Sequence, residues 1–375
     1  MCAFKSTPPT RQRAHREYEF TQKLGEGSFG AVYLAKVGGT KKKMVAVKMC
    51  DASTHTTKRE LFILETIKKS EVKCKFLAEY SESYEREAKL FIVMELMQTT
   101  LWHVIDKEED KIPLHAIRVV SKQILLGLSA LHSIGIVHND LKPDNVMLVN
   151  HEKYPYQVKL IDFGGAVHKD FEGGAPRYVQ AQAYMAPEAN IKNIVGPKSD
   201  MWAHAAILLE MVLNRAFFEA YSPTEATYQH FQMMGQPSMS FRNMMGNQFK
   251  EHFKHTLVTK TIIPIFYDEK TDRKRKDNQP ETLEGIYTSL LAEGDNKEDV
   301  KYFDELLRKI LTWDPNDRIS VDDALECDWL NPDRFEDQKY AKEAKSYYRK
   351  ARLEMPTRKR KIEMEDDKEN KRPAN

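Results

Sequence analysis

The sequence predicts an α+β fold in two lobes: a small, mainly β N-terminal lobe with one helix and a larger, mainly α C-terminal lobe. Strand-like runs crowd the first hundred residues around one helical stretch, and long helical periodicities dominate afterwards. Runs of strands followed by runs of helices mark α+β chains. The length of 375 residues suits two to three domains, or one two-lobed enzyme. A hydrophobic content of 41% is enough for a sizeable core.

Residues 1–17 are polar, with Pro8-Pro9 and several basic residues, and are expected to be a flexible tail. Lys5, Arg11 and Arg13 are joined by no apolar run, so no secretory leader is expected. A strand is predicted over Tyr18 to Leu24. Gly25-Glu26-Gly27-Ser28-Phe29-Gly30 follows. Such a glycine spacing also opens dinucleotide-binding units, but those require a helix next. Here Ala31 to Val37 alternates and is rich in β-branched and aromatic residues, so it reads as a strand. Strand, glycine turn and strand make a flap over phosphates, with an ordinary hairpin as the alternative.

Met44 to Met49 is a short apolar strand holding one lysine, Lys48, eighteen residues after Gly30. Its ammonium is expected on the α- and β-phosphates, with Val32 and Ala46 roofing a base. Arg59 to Ile67 has the spacing of a helix, with Leu61, Leu64 and Ile67 on one face. Glu60 is the candidate ion-pair partner for Lys48, and Glu65 is the alternative. Strands are predicted over Ala78 to Ser83 and Lys89 to Met94. The next residues, Met94 to Met97, form an extended linker whose backbone can face an adenine edge.

The second lobe begins at residue 98. Helices are predicted over Leu101 to Ile105 and Pro113 to Leu131, ended by Gly135. Then comes His138-Asn139-Asp140-Leu141-Lys142-Pro143-Asp144-Asn145. Asp140 can accept a proton from an attacking hydroxyl, and Lys142 can neutralise a phosphoryl group in transit. The amide oxygen of Asn145 can hold Mg²⁺. After the apolar Val146 to Val149 and Val158 to Ile161, Asp162-Phe163-Gly164 delivers a second carboxylate as a metal ligand. The apolar Met201 to Leu213 reads as a buried helix too short for a membrane span, with Asp200 capping its start. Residues 214–299 read as an insertion of short helices and loops, basic at Arg273 to Lys276. An amphipathic helix is predicted over Phe303 to Leu311, and Arg318 is expected to pair with Glu188. Residues 333–375 are a charged tail.

These segments resemble the eukaryotic protein kinases over about Tyr18 to Leu330: Gly25 to Gly30, Lys48, His138 to Asn145, Asp162 to Gly164, Ala186 to Glu188, Asp200 and Arg318. The resemblance implies the bilobal protein-kinase fold over residues 18–332, split into lobes of 18–97 and 98–332. It implies ATP in the cleft, held by Leu24, Gly25, Glu26, Gly27, Ser28, Phe29, Gly30, Val32, Ala46, Lys48, Glu60, Glu95 and Met97. Asn145 and Asp162 are the implied Mg²⁺ ligands, and Asp140 and Lys142 the catalytic pair. Lys142 matches the serine/threonine pattern. The long insertion with Met234 to Pro237 is similar to the group containing cyclin-dependent, mitogen-activated and dual-specificity kinases. Asp140 to Val149, Pro155 to Gly164, Arg177 to Gln180 and Glu281 to Gly285 resemble the homeodomain-interacting protein kinases. That branch implies protein substrates and transcription-factor or other nuclear partners.

Some positions depart from the family pattern. Asn139 stands where most kinases carry an arginine that grips a phosphorylated loop. Residues 162–188 contain no Ser and no Thr, so Tyr178 and Tyr184 are the hydroxyls there open to phosphorylation. Tyr178 is the autophosphorylation candidate that the resemblance implies. Ala181, Gln182 and Met185 replace the hydroxyl and two arginines expected around it. The lost cation also leaves open a preference for proline after the acceptor. Three readings stand at this point: a kinase acting on protein Ser/Thr, a pseudokinase keeping a nucleotide-binding shell, and another phosphotransferase fold. The intact Asn145 and Asp162 favour the first.

The formal charge of +2 gives no case for nucleic-acid or membrane binding. Four cysteines without metal-ligand spacing fit an intracellular protein with no zinc site or disulfide framework. Arg358 to Lys361 is a candidate nuclear import signal, which keeps nucleus and cytoplasm both open.

Overall fold

The alternating strands pair into one antiparallel sheet of five, β1 (Tyr18–Gly27), β2 (Gly30–Val37), β3 (Met44–Asp51), β4 (Tyr80–Arg86) and β5 (Lys89–Met94), in the order β1-β2-β3-β5-β4. The computed structural model describes residues 17–27, 30–40, 43–107, 112–168, 180–220, 222–255, 262–264, 282–293 and 295–331. The expected tails, Ser28, Phe29, Arg177, Tyr178, Arg273 to Lys276, Glu281 and Arg358 to Lys361 lie outside them.

One face of the sheet buries Ala35, Val37, Val45, Val47 and Val93 beneath Tyr18, Tyr84 and Phe91. Against the sheet lies α1 (His55–Lys69), capped by the Thr54 hydroxyl, which accepts from the Thr57 N–H at 3.2 Å. Lys68 and Lys69 close its last turn, where cations suit the helix dipole. Ile63 and Leu64 are fully buried in a core that continues into the second lobe.

The strand expected over Ala78 to Ser83 starts two residues later. Phe76, Leu77 and Ala78 instead leave the sheet and turn onto the C-terminal lobe. There the Ala78 N–H donates to the Leu160 carbonyl at 3.0 Å, and the Leu160 N–H to the Phe76 carbonyl at 2.8 Å. All three side chains are buried, so packing across the lobes overrides the local strand pattern.

The C-terminal lobe is built on α3 (Leu114–Ser133, following α2, Leu101–Lys107) and α5 (Pro197–Leu213), with α4 (Pro187–Lys192) between them in sequence. α5 is apolar on nearly every side and buried throughout its middle, as such a helix must be. Among the described residues α3 is the one helix both long and apolar enough to cross a membrane, the helix with Met201 being too short. Yet 78% of that apolar window is packed inside the fold, as in a core helix. Gly127 of α3 packs closely: a Cβ would come within 2.9 Å of Leu160 Cδ1, so that side chain would have to shift, and 3.4 Å of the Phe76 carbonyl oxygen. That close approach seats α3 directly under the cleft.

Short strands carry the cleft floor: β6 (Thr99–Thr100), β7 (Ile136–Val137), β8 (Val146–Leu148), β9 (Val158–Leu160) and β10 (Val167–His168). β6, β8 and β9 form one small sheet, and β7 pairs with β10. The insertion contains the expected short helices, among them 223–234, 239–245 and 283–292. Phe241, Met245, Phe249, Phe253 and Trp313 form a second core there. The amphipathic helix over Lys297–Ile310 starts six residues before its predicted start, capped by Asn296.

Candidate active site

β1 and β2 bring the glycine segment over the cleft. A Cβ at Gly25 or Gly27 would meet nothing within 4 Å, so the space beside both is open. Gly30 differs: it has φ +141°, and a Cβ there would lie 2.4 Å from the Met49 carbonyl oxygen. Only glycine fits both the dihedral and the contact. Leu24 is 45% exposed at the cleft edge, and Glu26 is exposed and ion-paired with Lys23.

The register of β2 on β3 sets Val32 opposite Lys48 and Leu34 opposite Ala46. Val32 and Ala46 are both half-buried. Lys48 reaches across to α1, where its Nζ donates to Glu60 Oε1 at 2.7 Å and Oε2 at 2.8 Å. It also donates to Asp162 Oδ1 at 2.9 Å. Burial alone would lower the Lys48 pKa, but the charges of Glu60 and Asp162 overcome it and hold the ammonium above its ordinary range. Glu65, the alternative partner, lies on the outer face and pairs with Lys69.

Asp162 has φ 56°, a left-handed conformation that turns its carboxylate back onto the Gly164 N–H at 3.3 Å. Burial would raise its pKa. The Lys48 charge and hydrogen bond, with the Gly164 N–H, outweigh that and keep it below the usual range. It therefore stays ionised at neutral pH.

On the catalytic loop, Asp140 is 3% exposed. Lys142 Nζ donates to its two oxygens at 3.2 and 3.0 Å. Asn145 Nδ2 donates to the Asp140 carbonyl at 2.7 Å and to Oδ2 at 3.0 Å. Burial pushes the Asp140 carboxyl up, and Lys142 offsets only part of that. A carboxylate so raised is a better proton acceptor than an ordinary aspartate. Because Asn145 spends its nitrogen on Asp140, its amide oxygen is the end available to a metal.

Asp162 and Asn145 supply oxygen donors, the chemistry that Mg²⁺ prefers. No cluster of three or more His, Cys, Asp or Glu suited to a metal forms among the described residues. That fits an ion held by one or two protein oxygens together with phosphates of a bound nucleotide. Lys48, Glu60 and Asp162 thus meet across the two lobes, and the charge of Asp162 reaches Asp140, which Lys142 and Asn145 hold; Ser28 and Phe29 lie outside the described residues. Glu95 is the exception in orientation: its side chain accepts from the Glu79 N–H at 2.6 Å and from Lys159 Nζ at 2.5 Å. Its backbone N–H is also spent, on the Glu79 carbonyl at 3.1 Å, so its backbone carbonyl and the backbone of the half-buried Met97 are what is left for a base.

Asp200 does not cap its own helix. Gly196 takes that place with Pro197 at the first position, and the Asp200 carboxylate is buried. It accepts from the His138 and Asn139 backbone N–H groups, both at 2.9 Å, and lies 2.7 Å from His132 Nε2. An acceptor on the core helix thus anchors the catalytic loop, a role that helix-end position alone did not reveal. Arg318 meets Glu188 in the expected pair, at 2.8 and 3.0 Å, with both side chains buried. Sequence reasoning did not single out Gln180 or Gly165, which Asn139 bridges, since neither residue type carries a signal in isolation.

The model of the family described as protein kinase domain matches residues 18–330. Among curated proteins, homeodomain-interacting protein kinase 1 of Caenorhabditis elegans is 26% identical over 340 residues, covering 84% of this chain and 40% of that protein. Homeodomain-interacting protein kinase 4 of Mus musculus is 26% identical over 357 residues, covering 88% of this chain and 57% of its own. Homeodomain-interacting protein kinase 2 of Mus musculus is 26% identical over 374 residues, or 93% of this chain and 30% of that protein. The chain thus spans 30–57% of the length of these relatives. With the glycine flap, the buried Lys48–Glu60 pair and the two carboxylate loops in one cleft, and the family model matched across both lobes, this chain belongs to the protein kinase domain family.

Proposed function

We propose that the chain transfers the γ-phosphoryl group of ATP to serine or threonine hydroxyls of proteins. The observation that carries this is the convergence of Lys48 on both Glu60 and Asp162, beside a raised and buried Asp140. Gly25 to Gly30 cover the phosphates with backbone. Lys48, fixed by Glu60, orients the α- and β-phosphates. Asp140 orients the acceptor hydroxyl and takes its proton as the oxygen bonds to the γ-phosphorus. The bond from that phosphorus to the β–γ bridging oxygen breaks, and ADP leaves. Lys142 neutralises charge on the group in transit. Asp162 and the Asn145 amide oxygen would hold Mg²⁺, which supplies positive charge to the phosphate oxygens when bound. Tyr178 is the candidate for tyrosine autophosphorylation.

The relatives are named for interaction with homeodomains, which supports protein partners of that kind here, and Arg358 to Lys361 supports nuclear entry. Deleting residues 356–375 from a tagged chain should then reduce nuclear signal, and an unchanged distribution removes that part.

The test of transfer uses labelled ATP and a generic basic protein. Wild type should transfer label, and Asp140→Asn and Asp162→Asn, each shown to be folded, should lose it by roughly 10²-fold or more. No transfer by wild type, with Mg-ATP still raising its melting temperature, would make the chain a nucleotide-binding scaffold.

A further inference from the structure

We infer that Asn139 and Gln180 are positioning residues, forming an uncharged clasp that holds the segment after Asp162 on the catalytic loop without a phosphate. This rests on the phosphoryl-transfer reading above. Asn139 is 2% exposed and has φ 59°, a left-handed conformation that asparagine tolerates better than most residues. Its backbone N–H is spent on Asp200 Oδ1. Its side chain then joins two further segments: Nδ2 donates to the Gly165 carbonyl at 2.9 Å, and Oδ1 accepts from Gln180 Nε2 at 2.5 Å.

The polarity of the chain of bonds is forced. The Gly165 carbonyl can only accept, so Asn139 must turn its nitrogen to it and its oxygen to Gln180. Gln180 must then present its nitrogen, which leaves its Oε1 buried and without a partner among the described residues. A residue that tolerates an orphaned oxygen to make one inward bond is held there by that bond.

The chemistry differs from a charged latch. An arginine at position 139 would be a buried cation in need of an anion. The amide of Asn139 is satisfied by a carbonyl and a second amide, both already in the unmodified chain. Residues 162–188 contain no Ser or Thr to carry a phosphate. Tyr184 has its hydroxyl committed to Glu210 Oε2 at 2.5 Å, and Met185 is buried. Asp140 follows Asn139 directly, so the clasp fixes the backbone turn that aims Asp140 at the acceptor hydroxyl.

The test uses the full chain with Asn139→Ala, the near-isosteric Gln180→Glu and the double variant, each checked for an unchanged melting profile. Gln180→Glu should lower kcat about tenfold, the scale of one lost hydrogen bond, and Asn139→Ala, which also loses the Gly165 bond, at least as much, with the KM for ATP within about twofold in both. The double variant should fall no further than the worse single one, because both remove the same bond. Amide exchange over residues 180–185 should rise alike in all three, a readout that needs no catalysis. Wild-type kcat and exchange in both single variants, or a double variant equal to the product of the singles, would overturn the clasp. An inactive wild type overturns the transfer reading and with it the positioning role, whatever the exchange shows.

Discussion

Two histidines make this fold acid-labile by a calculable amount. His204 lies in the middle of α5, fully buried, with Nε2 3.0 Å from the Ser121 hydroxyl and Nδ1 without a partner among the described residues. His230 is fully buried among the rings of Trp202, Phe218 and Trp313, with neither ring nitrogen partnered by a described residue. Burial pushes both to about 3 from an ordinary 6.5, and the Arg318 charge adds to the shift at His230. As pH falls below 6.5 the unfolded chain takes up these protons and the folded chain does not. The stability is therefore complete above pH 6.5 and is lost as pH falls toward 3. At pH 5 the loss is about 2 kcal/mol per histidine, about 4 kcal/mol for the two. That is a large share of a typical ~5–15 kcal/mol. Urea unfolding at pH 7.5 and pH 5.0 reads it. His230→Leu should lose about 2 kcal/mol less between the two pH values than wild type. At pH 7.5 it should be at least as stable, since two unpaired buried nitrogens are gone. A variant with the wild-type pH dependence would refute the reasoning.

The acid limb of kcat/KM should lie above the ordinary aspartate value of 3.8, because Asp140 must be ionised to take a proton and burial raises it. Activity then falls as pH drops through that raised value; a limb at or below 3.8 would exclude Asp140 as the group that titrates. Arg318→Ala should cost about 3–5 kcal/mol in denaturant unfolding by stranding the buried Glu188. The double variant Glu188→Leu with Arg318→Met should recover most of it, and a single variant within 1 kcal/mol of wild type would show the pair to be dispensable.

The sequence made the site legible where chemistry demands a residue type at fixed spacing. Lys48 and Glu60 meet from inside a strand and a helix whose residue patterns are strong, and Asp140, Lys142, Asn145 and Asp162 sit on the two short loops beside β8 and β9. Lys89 to Met94 was legible to the residue, since a short apolar, β-branched run stands between charged residues and the linker. What was hidden depends on contacts distant in sequence. Ala78 reads as part of the strand over 78–83, yet with Phe76 and Leu77 it joins β9, 82 positions along from Ala78 to Leu160. Asp200 read as a helix cap because it sits in a first turn, while its partners lie about 60 residues earlier. The Asn139 bridge depends on a left-handed backbone and a carbonyl acceptor, neither of which a side-chain pattern encodes.

The join of residues 76–78 to β9 has a mechanical consequence. The linker crosses to the small sheet of the second lobe where the Gln98 N–H meets the Leu148 carbonyl at 3.0 Å. The bonds at Leu160 make a second crossing on a neighbouring strand of that sheet. One attachment would leave the lobes free to swivel in any direction, whereas two define a line. Both attachments lie on one small sheet beneath the linker, so a rotation that opens the cleft on the far side, where Lys48 meets Asp162, strains them least. Twisting and sliding of one lobe on the other would require breaking backbone hydrogen bonds.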